Sequence, residues 1–123
     1  MSGVNKVILV GHIGKDPEFK LLDGGIPVLT FPLATSEIFT KNGSKVEHTE
    51  WHNIVMWRSL AETAVRLLKK NTLIYIEGKL RTRSFIGKDD IKRYTTEIVV
   101  EQFNLVGRAS DLKEVENNVS LTQ

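Results

Sequence analysis

The chain has 123 residues, 41% hydrophobic and 26% charged, with nine glycines and three prolines, which fits one globular domain and leaves no room for a second. The absence of cysteine excludes disulfides, thiolate metal sites and cysteine nucleophiles, and the longest apolar run, Val7 to Val10, is too short for a membrane helix, so a soluble cytoplasmic protein is expected. Net charge is +2, but residues 110–123 hold three acids against one lysine, so residues 1–109 carry 16 basic and 12 acidic groups, a weak pointer to an anionic partner.

The first strand is expected over Val4 to Val10, with Gly11 and Gly14 marking a bend or bulge. Lys15-Asp16-Pro17 reads as a turn, Asp23-Gly24-Gly25 as a hairpin connection, and Ile26 to Ala34 as the returning strand, in which Pro32 implies an edge or a bulge. Residues 40–45 contain Asn42-Gly43 between Lys41 and Lys45, a hairpin tip separating Phe39 from a strand over Val46 to Arg58. Ser59-Leu60-Ala61-Glu62 has the capping-box spacing. The apolar stripe at 60, 61, 64, 65, 67 and 68 then predicts a helix of about eleven residues, stopped by Asn71. Strands follow over Thr72 to Glu77, Lys79 to Ile86, Ile91 to Val100 and Gln102 to Val106, with a polar tip at Gly87 to Asp90. Periodicity is lost from Ala109, which places a disordered tail at 109–123 behind a domain at 1–108. Long, glycine-bent strands with a single helix suit an all-β Greek-key barrel with long hairpin extensions.

Period two puts Lys79, Arg81, Arg83 and Phe85 on one strand face. Either a polyanion that also offers bases threads past them, or the face is solvated and its cations pair with Glu97 or Glu101. Trp51 and Trp57 share a face about 20 Å apart, where they fill the core or bind, with Ile54 and Met56 opposite. Phe39 and Phe85 stand beside hairpin tips as binding positions, whereas Phe19, Phe31, Tyr75, Tyr94 and Phe103 lie in apolar runs and are assigned to core or interface. His48-Thr49-Glu50, with His52 on the same face, has the H-x-E form of zinc deaminases, but the P-C-x-x-C segment is absent. No metal or cofactor is expected there, and the three residues read as hairpin polar groups or interface contacts. Gly11 to Asp16 lacks phosphate-loop spacing, and no nucleophile stands with a base, so no enzymatic activity is expected.

Four separated segments, Gly3-Val4-Asn5-Lys6-Val7-Ile8-Leu9-Val10-Gly11, Leu33-Ala34-Thr35-Ser36-Glu37, Thr49-Glu50-Trp51-His52 and Tyr75-Ile76-Glu77-Gly78-Lys79-Leu80-Arg81-Thr82-Arg83, closely resemble the bacterial single-stranded DNA-binding protein family over residues 3 to 107. The resemblance implies a five-stranded OB-fold, a homotetramer, and sequence-independent binding of single-stranded DNA in replication, recombination and repair on the nucleoid. It puts stacking aromatics at Phe39, Trp51, Trp57 and Phe85, and backbone-contacting cations at Lys6, Lys70, Arg81 and Arg83, with Lys79 on the same strand face. A subunit interface is implied along the first strand, at Asn5, Val7 and Leu9, with His52 nearby. Phe39 and Phe85 stand where tryptophan is frequent, and Asn53 and Ser59 where a cation is common, which implies smaller stacking surfaces and an altered affinity or site size. Leu121-Thr122-Gln123 is unlike the family's acidic, apolar-tipped tail, which leaves two readings, a truncated chain or a tailless paralogue, neither of which would itself recruit replication and repair proteins through that tail. Two alternatives use the same fold: an RNA-binding OB-fold, and a DNA-free interaction module of the primosomal accessory type.

Overall fold

Alternating apolar residues form six strands around one short helix: β1 (Val7–Ile13), β2 (Glu18–Leu22), β3 (Ile26–Lys41), β4 (Ser44–Trp57), α1 (Ser59–Val65), β5 (Thr72–Ile86) and β6 (Lys92–Arg108). The computed structural model describes residues 2–108, and the expected tail at 109–123 lies outside the described residues. β1 and β2 are two halves of one bent strand. Both pair with β3, β1 through Ile13↔Leu33 and β2 from Glu18↔Thr30 to Leu22↔Ile26. Gly11 sits so close to the Ala34 carbonyl that a Cβ would collide with it, which lets β1 bend across β3. Pro32 lies opposite the break between the halves, its carbonyl accepting from the Gly14 N–H at 2.9 Å. Its nitrogen faces the same gap, so the missing N–H costs no ladder bond.

The strand order β1-β5-β6-β4-β3-β2, closed by β1–β3 pairing, makes a five-stranded OB-type barrel. β4 and β6 meet in parallel through Ile54↔Ile98 and Val55↔Val99. Inward residues of every barrel strand, among them Ile13, Leu33, Met56, Ile76 and Ile98, form one core that Ala61, Ala64 and Leu68 complete. Each large aliphatic side chain buried there stabilises the fold by about 1.5–3 kcal/mol. Among the described residues no helix is long and apolar enough to cross a membrane.

The helix departs from expectation. It spans seven residues, and the capping box does not form: Arg58 occupies the N-cap at φ 59°, ψ −130°, with no side-chain cap bond. The Arg58 carbonyl accepts from the Glu62 N–H at 3.1 Å, which leaves Ser59 one residue inside the helix, where its hydroxyl cannot reach the first-turn amides. Beyond Val65 the amides of Leu67 and Leu68 both bond the Ala64 carbonyl, tightening the chain before Asn71 takes a left-handed φ of 74°. The segments read as separate strands on either side of Gly78 and of Glu101 are continuous, because the irregularities are one-residue bulges at Glu101 and Val106 of β6.

Two hairpin arms extend past the barrel. The β3–β4 arm ends in a two-residue turn in which Asn42 and Gly43 both have positive φ, as a hairpin of matching twist requires. The β5–β6 arm ends at Gly87 to Asp90. Because β4 and β6 run in parallel and each follows its own tip, both arms leave the same end of the barrel.

Candidate nucleic-acid interface

Side-chain alternation and register decide what each face carries. Trp51, Asn53, Val55 and Trp57 of β4 point outward, as do Arg81, Arg83 and Phe85 of β5 and their β6 partners Glu97, Thr95 and Arg93. Over the β4–β6 junction Asn53, Val55, Trp57, Arg81, Arg83, Thr95 and Glu97 help line a groove of two contiguous depressions, about 480 and 320 Å³, that share Glu18, Thr30, Val55, Arg83 and Glu97, while Trp51, Phe85 and Arg93 lie outside it. Lys15 and Lys20 stand on the bank opposite the arginines, and Trp57 lines one end.

Glu97 is the charged residue of the groove floor, 4% exposed. Its carboxylate accepts from Arg81 Nη2 at 2.9 Å and faces Arg83 Nε at 3.4 Å. The Arg81 guanidinium in turn lies 5.6 Å from the centroid of the Trp57 ring, within cation–π range. Of the two readings of the Lys79–Phe85 face, the ion-paired one holds for its two arginines. Glu97, not Glu101, pairs with the arginines, yet one carboxylate between two guanidinium groups leaves a positive excess beside an aromatic ring. The Trp57 indole N–H is buried with no hydrogen-bond partner among the described residues.

Trp51 is 61% exposed, and its indole lies against Gly14, where any Cβ would collide with the ring. Phe39 and Phe85 are 45% and 46% exposed. The four aromatics do not form one row: Trp51, Trp57 and Phe85 point outward, while Phe39, paired with Val46, lies on the inward side of its arm. The assignment to core or interface holds for Phe31, which is buried, and Phe103, which packs on the core, and Tyr75 is half-buried. It fails as burial for Phe19 and Tyr94, both exposed. Tyr94 lies on an arm that has left the barrel, where an apolar run no longer implies a core.

The remaining cations are dispersed. Lys6 Nζ is 3.1 Å from Glu77, which also accepts from the Tyr75 hydroxyl. The Tyr75 bond and then Lys6 hold the Glu77 carboxyl below the usual carboxylate range, and the same bond pushes the Tyr75 phenol up. Lys6 thus belongs to the β1–β5 surface and does not line the groove. Lys70 is exposed, with its amide donating to Asp16 at 2.8 Å, beside the Lys15 end of the groove. Lys79 is exposed on the outward side with Arg81.

The Asn5 side-chain amide makes two bonds to the Leu80 backbone, 2.8 and 2.9 Å, continuing the β1–β5 ladder by side chain. Val7 and Leu9 pack against the core, whereas Ile8 and Val10 are exposed. Among the described residues the edge of 7–11 away from β5 has no partner strand. His52 Nε2 is 2.8 Å from the Thr35 hydroxyl, while His48 pairs with Glu50 at 2.7 Å, so the three residues do not converge. The Glu50 bond raises the His48 pKa, and that bond lowers the pKa of Glu50. Sequence reading located the outward arginines and offered Glu97 among their partners, but not the opposite bank, which depends on which distant strands become neighbours.

Residues 4–106 match the family described as the Single-strand binding protein family. A single-stranded DNA-binding protein of Neisseria meningitidis serogroup A is 47% identical over 105 residues, 85% of this chain and 60% of that one. The match thus spans less than two thirds of that relative's length. Single-stranded DNA-binding protein 1 of Xylella fastidiosa is 39% identical over 95% of this chain and 88% of its own. The solved Plasmodium falciparum SSB complex with ssDNA superposes with a TM-score of 0.76 at 30% identity, covering 87% of this chain and 97% of that one. A match over nearly all of the described barrel, with the same fold in a solved relative, places the chain in the single-strand binding protein family.

Proposed function

We propose that this chain binds single-stranded DNA without sequence preference, bases stacking on Trp51, Trp57, Phe85 and Phe39 while Arg81, Arg83 and flanking cations, Lys79 and Lys70 among them, meet phosphates. The observation that carries the reading is the groove over the β4–β6 junction, where Trp57, Arg81 and Arg83 offer a ring and positive charge side by side. Stacking is worth about 1–3 kcal/mol per base and is indifferent to base identity, whereas a duplex hides its base faces. The names of the relatives and the DNA bound in the Plasmodium complex support this ligand. The exposed Trp51 and Phe85 rings speak against a DNA-free module, and competition between DNA and RNA oligomers tests the RNA alternative.

The proposal is binding without turnover, in replication, recombination and repair on the cytoplasmic nucleoid, by the domain at 1–108. The open edge of β1, with Ile8 and Val10 exposed, supports assembly into a homotetramer by strand addition, with Asn5, Val7, Leu9 and His52 at or near the contact. Titration with dT oligomers of increasing length, following tryptophan fluorescence at low and high salt, tests the activity. Length-dependent quenching that weakens with salt is expected, and unchanged fluorescence with no complex formed refutes it. Light scattering tests the tetramer.

A further inference from the structure

The β5–β6 arm has two usable sides, and the groove accounts for one. Phe85, Arg81, Arg83, Arg93 and Glu97 occupy the outward side. Acids temper that side: Glu97 clamps Arg81 and Arg83, and Asp89 pairs with Arg93. The inward side carries Leu80, Thr82, Ser84 and Ile86 of β5 against Lys92, Tyr94 and Thr96 of β6, with no acidic residue. Tyr94 is 67% exposed there, and Lys92 Nζ lies 5.7 Å from its ring centroid. Lys92 has no carboxylate partner among the described residues.

We propose that Tyr94 and Lys92 form a second contact surface for single-stranded nucleic acid, taking a base on the phenol ring and a phosphate on the ammonium as the strand rounds the arm from Phe85. The inference rests on the binding activity proposed above and extends it to residues outside the groove. Charge complementarity favours a polyanion, because this side holds a cation and no acid. Continuity favours the same strand, since Phe85 and Tyr94 stand one register pair apart on opposite sides of one two-stranded ribbon, with Phe85 opposite Arg93 and Ser84 opposite Tyr94. Phe39 lies on the corresponding inward side of the other arm, which leaves the barrel at the same end.

The test compares wild type, Tyr94→Ala, Tyr94→Phe, Lys92→Ala and Trp57→Ala across a series of dT lengths. An oligomer short enough to be held by the groove should bind Tyr94→Ala within about twofold of wild type. Longer oligomers, beyond the ~4–16 nucleotides that one OB-fold engages, should bind it about tenfold or more weakly, and Tyr94→Phe should restore them. Lys92→Ala should lower the salt slope by about 0.7 for long oligomers only. Equal affinity of Tyr94→Ala and wild type at every length overturns the inference while leaving the groove intact, as a loss in Trp57→Ala would confirm. A loss in Tyr94→Ala accompanied by a changed molar mass in light scattering overturns it in favour of a subunit contact. Absence of dT binding by wild type removes the underlying activity and the inference with it.

Discussion

Arg81 stacks on Trp57 and is simultaneously held by Glu97, so the ring proposed to receive a base is already covered by a cation. A base reaching Trp57 must either displace the guanidinium or stack upon it, and a phosphate must compete with the Glu97 carboxylate. Replacing Glu97 by Gln removes that competitor and raises the net charge of the groove by one. Binding at low salt should tighten, and the slope of log K against log salt should steepen by about 0.7. The same change should cost about 1–3 kcal/mol of stability through the loss of a charge-assisted pair. An unchanged slope measured by fluorescence titration would show that the arginines do not meet phosphate.

Trp57→Ala should weaken oligo-dT binding by about tenfold, the equivalent of one lost stacking partner. Phe19→Ala supplies the control, since Phe19 pairs with Leu29 on the side of β3 that faces away from the groove. Equal losses in the two variants would contradict the placement of the site.

Arg58 holds a mirror-image backbone conformation that glycine adopts freely and other residues adopt at a cost of about 1–3 kcal/mol. Arg58→Gly should therefore raise stability by about 1 kcal/mol after the entropic cost of glycine, a rise of about 4 °C or more in Tm. Arg58→Ala keeps the strain and should gain nothing. Calorimetry of the two variants checks the contrast.

His48 should titrate above the ordinary histidine midpoint because Glu50 accepts from its ring and attracts the imidazolium, with Glu37 adding to the attraction. A raised folded-state pKa means that the histidine's share of stability is complete below its unfolded value and is lost as pH rises through the folded one. The lowered Glu50 pKa places its share above the unfolded carboxylate value, lost as pH falls through the folded one. The pair is complete between the two unfolded values. Both side chains are exposed, so the effect is read best as an NMR midpoint, which should fall in Glu50→Gln.

Local signals were legible where local chemistry decides. Asn42-Gly43 formed the expected two-residue turn because its backbone needs two left-handed residues whatever surrounds it. The capping box at Ser59-Glu62 failed because the exit from β4 forces the turn onto Arg58 and shifts the helix start by one residue. The core half of the core-or-interface reading at Tyr94 failed for a different reason: burial depends on the barrel continuing behind the strand, and at Tyr94 it does not. Arg81, Arg83, Trp51 and Trp57 were found by period two alone. The opposing bank, Lys15 and Lys20, sits some sixty residues away in sequence and became visible only once β5, β6, β4, β3 and β2 lay side by side in that order.

The groove floor crosses the line where β4 meets β6, the parallel pairing that joins the three-strand halves β1-β5-β6 and β4-β3-β2 along this side of the barrel. Among the described residues two register pairs secure that join, and closing it brings together segments some forty residues apart in sequence, a non-local contact whose loop-closure entropy is costly. A nucleic-acid strand touching Lys20 and Trp57 on one half and Arg81 and Arg83 on the other would act as a suture across it. Bound protein should then open more slowly as well as less often, resisting protease for longer in the presence of oligo-dT.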